Sequence, residues 1–166
     1  MKIFEQYAKL HRMTAEQEKP ISPYATEVTE LIVNVENDQY GHTNYKSFPE
    51  LFEPGQNAYM DPRGIGFDVI EKDYGLRSFV GGFNIKIRGE VFKGDTVSVS
   101  TTIKDPLGNS SMVFIQSIHK EDKIVAQYEM VVVLVDENGP VRIPDGIRES
   151  LLIQNPKYPA PQFPEA

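Results

Sequence analysis

The sequence predicts an α+β domain in which an antiparallel β-sheet wraps around one long central helix, with an extra helix at the N-terminus. Three observations carry this. Residues 44–60, NYKSFPELFEPGQNAYM, set Tyr45, Phe48, Leu51, Phe52 and Tyr59 near helical spacing. From residue 76 the apolar period changes to two, and four strand-like runs follow, the last of them apolar on both faces. Short turn sequences separate the later runs, which is how antiparallel neighbours connect. A sheet must bury one face, and the 44–60 helix is the long element available to cover it.

The elements follow in order. Ile3, Phe4, Tyr7 and Leu10 share one face of a helix over residues 3–18, which EKPISPY then breaks through its two prolines. Residues 25–35, ATEVTELIVNV, read as a strand, and the polar turn ENDQYGHTNY follows at 36–45. Within the central helix Pro49 fits a first turn, where its missing donor costs little. Pro54, next to Gly55, is expected to kink or interrupt it. In the long strand after residue 76, Phe83, Ile85 and Ile87 alternate with Asn84, Lys86 and Arg88, and Gly81-Gly82 marks a bulge or bend. KGD at 93–95 is a turn. TVSVSTTI then sets Val97, Val99, Thr101 and Ile103 on one side. SMVFIQSIHK and IVAQYEMVVVLVD form a hairpin about EDK, and the second of them, apolar on both faces, belongs inside the sheet. IPDGIRESLL reads as a short helix with Asp145 as its cap, and NPKYPAPQFPEA as an extended proline-rich tail. The domain organisation is thus a helical extension over 1–24, a core over 25–153 and a tail over 154–166.

Composition narrows the function. With 166 residues, 40% hydrophobic and 25% charged, the chain is globular and of single-domain size. It has no cysteine, which removes disulfides, thiolate metal sites and a thiol nucleophile. The net charge of −7 opposes binding to a polyphosphate backbone, so nucleic acid is not an expected partner. The opening MKIFEQYAKLHRM lacks the apolar run of a signal peptide, and MVVVLV is far too short to cross a bilayer. A soluble, cytoplasmic protein is expected, with no membrane partner.

By residue type alone, DQYGHTN is a solvated turn, because Asp, Gly and Asn supply turn geometry. Its surroundings change that reading. The register Glu36, Asn37, Asp38, Gln39, Tyr40, Gly41, His42, Thr43, Asn44 is followed by Phe48, then Phe52-Glu53, then a Gly94-Asp95 turn, a Gly108 to Ser111 lead-in, and VVVLVDENGPVRIPDGIRESL. This series resembles the hot-dog-fold acyl-CoA thioesterases, in the branch that includes 4-hydroxybenzoyl-CoA thioesterase. That branch carries Asp, any, Asp, two residues, Gly-His, any, Asn. Here Glu36 stands for the first Asp and Gln56 for an arginine usual on the helix.

The resemblance implies a hot-dog fold and hydrolysis of an acyl-CoA or aryl-CoA to free acid and CoA. It makes Asp38 the nucleophile or general base, with the start of the central helix, at Tyr45, as the oxyanion hole. His42 is placed to fix the loop or polarise the carbonyl, with Gly41, Asn44 and Glu53 as loop support or substrate contacts. Glu53 is also a rival acid, since some proteins of this fold carry their carboxylate on the helix. No cofactor and no metal are implied. Of the cations, Lys86, Arg88 and Lys93 lie around one strand end and Arg63 and Arg77 follow the helix, each reading as a solvated surface charge. The resemblance further implies a homodimer with sites between subunits, extending to a homotetramer. Two other functions compete: hydrolysis of acyl groups from acyl carrier protein, and a non-catalytic acyl-ligand-binding role.

Overall fold

The computed structural model describes residues 22–154 and residue 156. The helix expected over 3–18 and nearly all of the proline-rich tail lie outside these residues.

Strands β1 (Glu27–Ile32), β2 (Arg77–Ile87), β3 (Thr96–Ile103), β4 (Ser111–Lys120) and β5 (Lys123–Asp136) form one antiparallel sheet in the order β1-β3-β4-β5-β2. A two-residue strand, β6 (Gly139–Pro140), folds back on the end of β5. Helix α1 (Phe48–Met60) packs across the inner face. Helix α2 (Phe67–Tyr74) leads into β2, and α3 (Asp145–Leu151) closes the described chain. The sheet curls around α1, so the fold is the expected hot dog.

Period two does what it promised. Val97, Val99, Thr101 and Ile103 of β3, and Met112, Phe114, Gln116 and Ile118 of β4, are all buried toward the helix. Strand β5 is interior to the sheet, paired on both sides. The register of β2 against β5 slips between Val80 and Gly82, so the glycine pair is a bulge. Strand β1 is shorter than the apolar run suggested, ending at Ile32. Val33 leaves the sheet but stays buried, hydrogen-bonded to the backbone of Asp95 and Gly94 in the turn before β3.

Several expectations are corrected. Helix α1 runs through Pro54 without interruption. The proline removes one donor, the one that would serve the Glu50 carbonyl, and both residues lie on the exposed face, where a carbonyl without a helical partner is open to solvent. Asp145 does not cap α3. Pro144 holds the cap position, and the Asp145 carboxylate accepts instead from Arg142 Nη1 at 2.8 Å. Helix α2 was not anticipated from the sequence.

Arg63 is no surface charge either: it is 4% exposed. Its guanidinium donates to Glu27 Oε1 at 2.8 Å, to the Tyr59 carbonyl at 2.8 Å and twice to the Ile153 carbonyl, at 3.0 and 2.7 Å. It also lies 4.0 Å over the Tyr59 ring, whose hydroxyl donates to the Leu151 carbonyl. Four of its five N–H groups matched to acceptors, one of them a carboxylate, are what make a buried guanidinium tolerable. The knot ties β1, the end of α1 and the chain after α3 together.

Candidate active site

The loop between β1 and α1 is organised by Asp38. Its Oδ1 accepts from the Tyr40 N–H at 2.8 Å and the His42 N–H at 3.0 Å. The main chain closes the same turn, with Asp38 N–H donating to the His42 carbonyl and Gly41 N–H to the Asp38 carbonyl. Gly41 sits at φ +83°, a left-handed conformation that costs a glycine little. The turn chemistry therefore both uses Asp38 and orients it, leaving Oδ2 unclaimed among the described hydrogen bonds.

The loop then docks on the segment after β2. His42 bridges Phe92, Thr43 N–H donates to the Val91 carbonyl at 2.7 Å, and Asn37 pairs with Thr43. The His42 ring stands edge-on to Phe92, centroids 5.1 Å apart, and its Nε2 lies 3.5 Å from Glu90 Oε1. Phe92 is fixed in turn by Asp95, whose Oδ2 accepts its N–H at 2.8 Å and pairs with Lys120 at 2.7 Å. Lys120, and after it the Phe92 N–H, holds the Asp95 carboxyl below the usual carboxylate range. The expected Gly94-Asp95 turn is thus the prop under the histidine.

The chain enters the helix through a 3-10 turn, Tyr45–Ser47. Asn44 caps it: its side chain accepts from Lys46 N–H at 3.1 Å and its carbonyl from Ser47 N–H at 2.8 Å. Neither bond takes the Tyr45 N–H, the first of the turn. Asp38, His42, Thr43, Asn44 and Tyr45 line one cleft of about 300 Å³, walled by Phe48 and by the Ile87–Val91 stretch. Four of the expected residues, Asp38, His42, Asn44 and Tyr45, therefore meet in one place, with Gly41 shaping their loop. Glu53 does not join them. It is exposed at a second cleft of about 300 Å³ between α1 and strands β2 and β5.

Three placements at these clefts were not expected. Glu90 is the carboxylate nearest His42. Thr43 carries a buried hydroxyl with no partner among the described residues. Gln56, on the wall of the second cleft, is hydrogen-bonded in the core to Gln116 of β4. The last was readable, since Gln116 falls on the inward register of an otherwise apolar strand face.

A curled sheet around one helix, with an acid-bearing loop at the helix start, defines a hot-dog protein of the thioesterase kind. The comparisons agree. The sequence profile of the thioesterase-like superfamily matches residues 33–151, and the chain belongs to that superfamily. It is accordingly a thioester hydrolase by family. A predicted thioesterase from Bacillus stearothermophilus has a similar structure, with 26% identity, TM-score 0.65, and coverage of 76% of this chain and 94% of that one. A DHNA-CoA thioesterase from Staphylococcus aureus is similar at 20% identity, TM-score 0.69, covering 76% and 88%. A 1,4-dihydroxy-2-naphthoyl-CoA thioesterase from Synechocystis is similar at 14% identity, TM-score 0.69, covering 76% and 96%. No curated protein matches the chain in sequence. Among the described residues no helix is long and apolar enough to cross a membrane.

Proposed function

We propose that the protein hydrolyses an acyl-CoA or aryl-CoA thioester to the free acid and CoA, with Asp38 as the reacting carboxylate. The observation that carries this reading is the shared cleft: Asp38, with its carboxylate oriented by the turn, and Tyr45, at the head of the helix, line one space. The two solved aryl-CoA thioesterases of similar fold support a CoA ester as the substrate.

The chemistry follows from those groups. As a general base, Asp38 takes a proton from water, whose oxygen attacks the thioester carbonyl carbon. As a nucleophile, its oxygen attacks directly and the resulting anhydride is opened by water. In either course the carbonyl oxygen gains charge, which the Tyr45 N–H at the head of the helix stabilises. The C–S bond then breaks and CoA leaves as the thiolate. His42, held edge-on by Phe92, donates toward the same oxygen, while Gly41 and Asn44 keep the loop and helix head in place.

The reading includes a second chain. β2 is an edge strand with Phe79, Val80, Phe83 and Ile87 all 44% exposed or more. Such an edge invites pairing. Both clefts border this strand or the segment that follows it, so two chains paired along β2 close each other's clefts, and such dimers assemble further into a tetramer.

The test is thiol release from a panel of acyl-CoA and aryl-CoA esters by wild type and Asp38→Asn. Turnover by the wild type that falls about 10²–10⁴-fold in the variant is expected. Wild-type binding without turnover would instead identify a non-catalytic acyl binder.

A further inference from the structure

We propose that Gln56 selects the acyl group by presenting its side-chain carbonyl oxygen to a neutral hydrogen-bond donor that the acyl group carries. This rests on the thioesterase reading and adds a substrate class to it.

The orientation of the amide follows from its neighbours. The Phe52 carbonyl is a main-chain acceptor, so the Gln116 atom 2.9 Å from it must be the nitrogen. That nitrogen also donates to Thr101 Oγ1 at 2.9 Å, which uses its second hydrogen. The Gln116 oxygen is therefore turned to Gln56, and it accepts from Gln56 Nε2 at 3.0 Å. The other side of that nitrogen faces Met130 Sδ at 3.8 Å. Both donors of Gln56 are engaged inside the protein. Its Oε1 has no hydrogen bond among the described residues.

Gln56 is only 6% exposed, and what exposure it has is to the second cleft, which it lines. Phe67, Val80, Met130 and Val132 make most of the wall around it apolar, with Ser78, Tyr128 and the carboxylates of Glu50 and Glu53 as its polar members. An acyl group that fills the cleft removes water from Oε1. A hydrocarbon leaves the oxygen bare, whereas a hydroxyl or amide N–H at the right depth satisfies it. The wall residues favour a neutral donor. An ammonium buried among them would lose its hydration, and the carboxylates of Glu50 and Glu53 that could pair with it are exposed.

The experiment compares kcat/KM for matched CoA esters, each straight-chain acyl group against its ω-hydroxy and ω-amino forms, over a series of short and medium lengths. The ω-hydroxy form at one length is expected to be favoured about 10- to 100-fold over its hydrocarbon partner. In Gln56→Met, and in a Gln56→Leu, Gln116→Leu double variant that replaces both amides, this ratio collapses toward one. A purely structural role would lower both members of a pair together and leave the ratio standing. The same preference is read without turnover from equilibrium binding of the uncleavable CoA thioethers. Absent turnover with the binding preference intact would defeat the thioesterase reading alone. Equal handling of every pair by the wild type, survival of the preference in both variants, or a preference for the ω-amino form would overturn the proposal.

Discussion

Gly55 of the central helix passes so close to Thr101 of β3 that a β-carbon at Gly55 would lie 2.5 Å from the threonine hydroxyl oxygen. It would also meet Gln116 Nε2 and Val99 Cγ1 at 2.8 Å each. Alanine is the better helix former by about 1 kcal/mol, yet three such contacts cannot relax together in a packed core. Gly55→Ala is therefore expected to lose about 2 kcal/mol net, seen as a fall in Tm of about 4–8 °C. An unchanged Tm would mean the helix can lift off the sheet.

Asp38 carries two separable roles, because asparagine keeps Oδ1 and alanine does not. Asp38→Asn is expected to hold the turn and keep Tm close to wild type while activity is lost. Asp38→Ala releases the Tyr40 and His42 N–H groups and costs a further ~0.5–2 kcal/mol. Thermal melts of both variants beside their thiol-release rates check this.

The β4–β5 hairpin turns through Glu121 and Asp122, with φ of 50° and 63°. Two left-handed positions in a row suit Asn-Gly; glutamate is poorly suited to the first, and aspartate fits the second less well than glycine. The double change Glu121→Asn, Asp122→Gly is expected to stabilise by about 1 kcal/mol, measured by denaturant midpoint at unchanged m-value.

Burial, offset in part by Arg63, pushes the Tyr59 hydroxyl up to about 12. A raised folded-state value means the neutral form is favoured by folding. That stability is complete below pH ~10, the unfolded value, and is lost as pH climbs to about 12. Tm should hold to about pH 10 and then drop. Tyr59→Phe starts lower at neutral pH, having lost the bond to the Leu151 carbonyl, and falls less steeply. Parallel slopes for the two proteins would contradict this.

Phe83, 58% exposed on the inner side of β2, is a direct handle on the proposed dimer. Phe83→Glu sets a charge where the second chain would pack. A shift toward monomer by sedimentation, together with loss of thiol release, is the expected outcome.

The sheet was legible because its signal is local. Alternation places Val97, Val99, Thr101 and Ile103 on one face with no knowledge of what covers them. The grouping of the candidate loop was legible for a similar reason: Asp38, His42, Asn44 and Tyr45 lie within eight residues and line one cleft. What failed depended on distant chain. Helix α2 has eight residues and buries only Ile70 fully, too short a segment for its apolar spacing to announce a helix. The burial of Arg63 is decided by Glu27 and by the Ile153 carbonyl, ninety residues on. Glu90 comes to His42 across a gap of 48 residues, which no local spacing announces.

The Arg63 grip has an evolutionary corollary. The guanidinium seizes the oxygen of residue 153, and an oxygen of that kind is present whichever amino acid stands there. Substitution at Ile153 can drift freely under this constraint, but a one-residue deletion between Leu151 and Ile153 shifts the oxygens out of register and strands a cation in the interior. Related chains should therefore vary in letter here and agree in length.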